Sequence, residues 1–137
     1  MQTLRRRVRR HGLARAWLLL PALLLAPLVL AACGGEQPAA PAGAASITGT
    51  VRAATAGEDG VTVRSFLVEG SGDYDRAQVT VTAQTAWYRR SGATVAPADG
   101  VPVAATFAGR KVAVQFTGAV AESYPVQATA GWVILDE

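Results

Sequence analysis

The chain has 137 residues, of which 50% are hydrophobic and 17% charged, with one cysteine and one histidine. So apolar a composition excludes intrinsic disorder for most of the chain, and one cysteine with one histidine excludes an intramolecular disulfide and the usual zinc ligand sets. The whole chain has a formal charge of +3, whereas the part from Cys33 onward has seven basic and ten acidic side chains and a charge of −3. A negative charge on this part argues against nucleic acid as a partner.

The first 32 residues are predicted to be an export signal. Residues 1–12 are strongly basic, and an uncharged apolar run over residues 16–32 is interrupted by Pro21 and Pro27. A membrane-spanning helix needs about 20 apolar residues, and each interior proline removes a backbone hydrogen bond that lipid cannot replace. Basic, apolar and then small residues are typical of a cleaved signal peptide, here residues 1–32. The alternative is an uncleaved N-terminal anchor.

The end of this segment, Leu30-Ala31-Ala32-Cys33, resembles the lipobox of bacterial lipoproteins. The resemblance implies that the Cys33 thiol receives a diacylglycerol and that cleavage just before Cys33 makes it the new N-terminus. Two or more acyl chains are enough for stable anchoring, whereas a single chain is marginal. We therefore expect a protein that is lipid-anchored on the extracytoplasmic face of the cell membrane.

Residues 33–45 are predicted to be a flexible tether. After the cysteine the sequence GGEQPAAPAGAA has no hydrophobic periodicity and consists mainly of glycine, alanine and proline. This composition is typical of linkers rather than of packed elements.

Residues 46–137 are predicted to form one all-β domain, because hydrophobic residues alternate with polar ones and no segment combines helical periodicity with good caps. Short runs rich in threonine, valine and aromatic residues suit a pleated, half-buried surface. The predicted strands are residues 47–51, 61–68, 79–82, 85–89, 112–116 and 130–135. Five or six such strands in one small domain indicate a barrel or sandwich.

Turn signals separate these strands. Asp59-Gly60 is typical of a hairpin turn, and residues 70–73 (GSGD) are predicted to be a loop. Prolines and an Asp-Gly pair break residues 94–107, within which residues 103–107 could form a single helical turn.

A motif near the end of the chain carries a family resemblance. Its positions are a glycine turn, an alternating strand, a second glycine and then Glu-Ser-x-Pro-x-Gln, here Gly109, Val112, Val114, Phe116, Gly118, Glu122, Ser123, Pro125 and Gln127. This pattern, together with Gly49-Thr50-Val51 as a first strand, resembles the YobA-like domain of bacterial secreted proteins and lipoproteins. The resemblance implies a small OB-like β-barrel on the outer side of the membrane, and it implies no activity.

The corner between the last two predicted strands is the candidate site. Glu122, Ser123, Tyr124 and Gln127 are interpreted in two ways. In the structural one, Glu122 accepts backbone N–H bonds or pairs with an arginine, and Ser123 closes the turn through local hydrogen bonds. In the functional one, all four residues line a ligand-facing rim of the barrel.

Two other segments carry chemistry-bearing side chains. Asp73-Tyr74-Asp75 offers carboxylates for calcium, but the spacing of a full calcium loop is missing, so we predict a solvated loop and no metal site. Residues 87–90 (WYRR) mix aromatic and basic groups, but alternation puts Trp87 on the opposite face from Tyr88, which favours Trp87 in the core and arginines at the rim.

Catalysis and cofactors are not expected. His11 precedes the predicted cleavage point, which leaves no imidazole to serve as a base for a serine or cysteine nucleophile. Two hypotheses remain: a lipid-anchored, noncatalytic binding or accessory module for an envelope protein or glycan, and a purely structural envelope protein without a small-molecule site.

Overall fold

The computed structural model describes residues 40–137. The predicted signal peptide, Cys33 and the first part of the predicted tether lie outside these residues. Among the residues described, no helix has the length and apolar character needed to cross a membrane.

The described part contains seven β-strands and one short 3₁₀ helix. They are β1 (Ile47–Ala56), β2 (Val63–Gly72), β3 (Arg76–Thr80), β4 (Ala86–Ser91), β5 (Thr94–Pro97), the 3₁₀ helix Ala104–Thr106, β6 (Lys111–Ala121) and β7 (Val126–Asp136).

Five of the strands close into a barrel. β1, β2 and β3 form an antiparallel meander, β1 also pairs with β6, and β6 pairs with β7. The ring is completed by parallel pairing of β3 with the first half of β7, from Ala77↔Val126 to Thr80↔Thr129. The prediction of a small all-β barrel is therefore confirmed, and the arrangement is consistent with an OB-like barrel.

The remaining two strands extend the sheet beyond the ring. The second half of β7 pairs in parallel with β4, and β5 folds back on β4 as a hairpin. Thr85 lies where β7 changes partner: its hydroxyl donates to the carbonyl of Ala130 (2.8 Å) and accepts the backbone N–H of Thr82 (3.0 Å). This buried side chain satisfies backbone groups that the change of partner would leave without a ladder bond.

The barrel interior is the main core. Phe66, Phe107 and a set of valines and isoleucine are almost fully buried there, namely Ile47, Val51, Val68, Val79, Val112, Val114 and Val133. On the opposite face of β6 and β7 a second, small cluster contains Ala113, Trp132 and Ile134. Val112 and Val114 face inward while Ala113 faces outward, as period-2 alternation predicts.

Some local predictions need correction. Residues 70–72 belong to β2, and Gly70 pairs with Gly49, so the predicted loop begins later, after Gly72. β5 lies in the segment where prolines led us to predict no strand, because Pro97 occupies the end of an edge strand and interrupts no further pairing. The predicted helical turn at residues 103–107 is present as the 3₁₀ helix.

Residues 40–45, assigned above to the tether, contact the barrel. The indole N–H of Trp132 donates to the carbonyl of Ala42 (3.1 Å), and Ala45 packs on the second cluster. The backbone N–H of Ser46 then donates to the carbonyl of Val114 (2.8 Å). Ordered contacts therefore begin upstream of the first strand.

Candidate binding site

The predicted corner lies in the loop that joins β6 to β7. The backbone N–H of Ser123 donates to the carbonyl of Ala121 (2.9 Å), and its hydroxyl donates to the carbonyl of Pro125 (2.8 Å). Tyr124 is 72% exposed, with its hydroxyl 3.5 Å from a carboxylate oxygen of Asp75. The loop is thus tied by Ser123 and presents its tyrosine to solvent.

Glu122 and Gln127 have different surroundings. The Glu122 side chain is exposed and makes no hydrogen bond or ion pair within residues 40–137, so the structural tie expected of it is not found there. Gln127 lies on β7 opposite Gln78 of β3, and it borders a shallow groove of about 280 Å³ with Thr80 and Ala121. The corner therefore brings residues 122–124 together in one loop, with Gln127 on the adjacent strand.

In each of the two other segments considered in the sequence analysis, an aromatic side chain packs against a neighbouring aromatic ring. Tyr74 packs against Phe116, with ring centroids 5.6 Å apart. Across residues 40–137 no three histidine, cysteine, aspartate or glutamate side chains are grouped closely enough to hold a metal ion. Trp87 is 8% exposed and packs edge-on against Phe107 with a centroid distance of 5.8 Å, whereas Tyr88 packs against the outer cluster. The WYRR segment therefore forms no single stacking platform.

A cavity of about 360 Å³ lies beside the 3₁₀ helix. Three separate segments line it: the end of β4, the loop from β5 to β6, and the end of β7. The lining residues are Arg89, Asp99, Gly100, Val101, Pro102, Val103, Thr106, Phe107, Arg110, Leu135 and Glu137. Its size is within the range of small-molecule sites, about 300–1,000 Å³.

The apolar part of the cavity wall is well supported. Phe107 is 1% exposed and packs edge-on against Phe66, with ring centroids 5.1 Å apart. Val101 and Val103 remain 41% and 44% exposed at the lip. Next to them lies Val61, 50% exposed, whose carbonyl accepts the backbone N–H of Ala104 (2.8 Å). A ligand that contacts these valines would remove their apolar surface from water.

The charged groups of the cavity differ in their pairing. Arg89 forms an ion pair with Glu137 (3.3 Å). Neither Arg110 nor Asp99, which line the same cavity, has an ion-pair partner within 4.0 Å among residues 40–137. The cavity therefore presents one guanidinium and one carboxylate that are free to interact with a ligand.

Sequence reasoning missed this cavity. Arg89 and Arg110 are separated by a segment that carried no strand prediction, and the parallel pairing of β4 with β7 brings Arg89 to Glu137. One feature of the sequence did indicate it. The segment that breaks the strand pattern contains Pro102, an Asp-Gly pair and several valines, and such a loop is too apolar to be fully solvated.

Comparison with known proteins adds no relative. No protein-family model, no curated protein and no solved structure matches this chain. The resemblance to the YobA-like domain stays a prediction.

Proposed function

We propose that this chain is a membrane-anchored bacterial lipoprotein whose small β-barrel acts as a noncatalytic binding or accessory module in the cell envelope. The observation that carries the proposal is Leu30-Ala31-Ala32-Cys33, which follows a basic and then apolar segment and precedes the barrel domain. A thioether-linked lipid at this cysteine would hold the chain at the membrane without a spanning helix.

The cavity beside the 3₁₀ helix supports the binding part of the proposal. Its lining combines charged side chains, among them Arg110 and Asp99, with exposed valines, so it offers both polar and apolar contacts to a ligand. The exposed valines at its lip would lose contact with water when a partner binds, which favours association. An envelope partner that reaches this end of the barrel fits such a surface.

The anchor is tested by feeding cells a labelled fatty acid. We expect the wild-type chain to be labelled and to remain in the membrane fraction, because Cys33 supplies the only thiol in the sequence. Cys33→Ser should lose the label and leave an unprocessed or soluble species. A matched control, Ser46→Ala, keeps the cysteine and should be labelled like the wild type. Equal labelling of wild type and Cys33→Ser would contradict the proposal.

A further inference from the structure

We infer that the cavity beside the 3₁₀ helix binds a small molecule that carries one carboxylate on a short apolar body, and that Arg110 holds the carboxylate. The inference deepens the proposed function, on which it rests, by naming the chemical class of the ligand.

Arg110 is the group best placed to hold an anion. Arg89 is compensated by Glu137 at 3.3 Å, whereas the Arg110 guanidinium has no acidic partner among residues 40–137. A planar guanidinium can donate two parallel hydrogen bonds to one carboxylate, which a point charge cannot do.

Two backbone N–H groups of residues that line the cavity have no partner among the described residues. The N–H groups of Gly100 and Val101 make no hydrogen bond to another residue within residues 40–137. An unpaired backbone N–H is a donor that an anionic ligand could use. Together with Arg110, these N–H groups are hydrogen-bond donors in the lining residues that no described residue engages.

The remaining groups limit the ligand to one charge and a short apolar part. Asp99 and Glu137 border the cavity and would repel additional negative charge, which disfavours polyanions. Val101 and Val103 offer an exposed apolar surface that a hydrocarbon group can cover, and the volume of about 360 Å³ admits only a small molecule.

The test uses the full chain purified in detergent, which keeps it in solution whether or not Cys33 carries a lipid, and isothermal titration calorimetry, with protein-free detergent buffer as the blank. Hexanoate and N-acetyl-leucine are the probes, since the first stands for a free carboxylic acid and the second for the carboxyl end of a peptide. We expect saturable one-to-one binding of at least one of them, and the tighter of the two identifies the source of the carboxylate. Hexanol and hexylamine should bind more weakly than hexanoate.

Single substitutions assign the contact. Arg110→Gln should weaken carboxylate binding at least about tenfold, the scale of one charge-assisted hydrogen bond. Lys111→Gln is the matched control, because it removes the same charge from the next residue, which does not line the cavity. Asp99→Asn should strengthen binding, since it removes a like charge. All three positions are exposed, so melting temperatures should match that of the wild type.

Two sets of results would overturn the inference. One is the absence of saturable binding by both carboxylates, or tighter binding of hexylamine than of hexanoate. The other is an equal effect of Arg110→Gln and Lys111→Gln. Because labelling at Cys33 is measured separately, a labelled chain that binds no carboxylate would refute the ligand class alone, and an unlabelled chain that binds one would refute the anchor alone.

Discussion

Gly49 of β1 and Gly70 of β2 are paired, and their backbones approach too closely for side chains. A Cβ on Gly49 would overlap the carbonyl oxygen of Glu69 and lie 2.7 Å from the Cα of Gly70. The sequence therefore needs glycine at both positions for a steric reason, independent of backbone dihedral preference.

We expect Gly49→Ala to destabilise the barrel by about 1–3 kcal/mol or more, because the added methyl group forces the two strands apart. Chemical denaturation of the purified chain measures this free energy of unfolding. Gly100→Ala is the control, since no heavy atom lies within 4 Å of the place its Cβ would take. A Gly49→Ala variant as stable as Gly100→Ala would show that the strands can separate at no cost.

Asp59 organises the turn between β1 and β2. One carboxylate oxygen accepts the backbone N–H groups of Val61 (2.9 Å) and Thr62 (3.0 Å), and the other accepts the Thr62 hydroxyl (2.6 Å). The hydroxyl bond first, and then the backbone bonds, lower the pKa of Asp59 from its ordinary value of 3.8.

Because the pKa of Asp59 is lower in the folded state, its charge stabilises the fold above pH 3.8, and this contribution is lost as the pH falls through the folded-state pKa. Asp59→Asn should therefore be less stable than the wild type at neutral pH, and the difference should shrink in acid. Denaturation midpoints measured across this pH range check the sign. The control is Asp73→Asn, because the Asp73 carboxylate accepts no hydrogen bond within residues 40–137. If the difference in stability between Asp59→Asn and the wild type were the same at every pH, the assignment to the Asp59 carboxylate would be contradicted.

At the scale of elements, the 3₁₀ helix covers one end of the barrel through Phe107. This ring contacts Phe66 and Trp87 edge-on and also forms part of the cavity wall. None of the residues Ala104–Thr106 is buried, so the contribution of this segment to the core comes mainly from Phe107, the residue that follows the helix.

Phe107→Ala should cost about 3–5 kcal/mol of stability, as is usual when a buried phenylalanine is truncated. Thermal or chemical unfolding monitored by circular dichroism measures the loss. Val103→Ala, at a position 44% exposed on the same segment, should change stability little. Similar small losses for both variants would mean that the 3₁₀ helix does not close the core.

The sequence predicted those elements whose pattern is local. Alternation of hydrophobic residues predicted that Val112 and Val114 lie on the inward face of β6, and the apolar run from Ala130 to Leu135 predicted the buried end of β7. Asp59-Gly60 located the first hairpin because the residues of a tight turn carry their own preference.

The features that were missed depend on contacts between distant residues. Parallel pairing of β7 with β3 in one half and with β4 in the other has no local signature, and neither does an edge strand of four residues such as β5. The cavity was missed for the same reason, since Arg89 and Arg110 meet only after β4 has docked on β7. The corner residues were located by sequence, but their exposure follows from the length of the β6–β7 hairpin.

For the whole molecule, we propose that a lipid anchor holds a barrel that binds a partner at its cavity end. The alternative, a purely structural envelope protein, has no such site. The described surface offers two competing places, the cavity lip at Val101 and the corner at Tyr124, which are 41% and 72% exposed. A measurement that compares these two positions in the anchored chain separates the possibilities.

The most direct measurement places a photo-crosslinking amino acid at Val101 or at Tyr124 of the full chain in intact cells, followed by intact-mass analysis of the recovered protein. We expect a reproducible, light-dependent mass increase for position 101 and none for position 124. Both variants should still carry the labelled lipid, which shows that they reach the membrane. No adduct at position 101, or an adduct at position 124 alone, would contradict the claim that the barrel binds through its cavity.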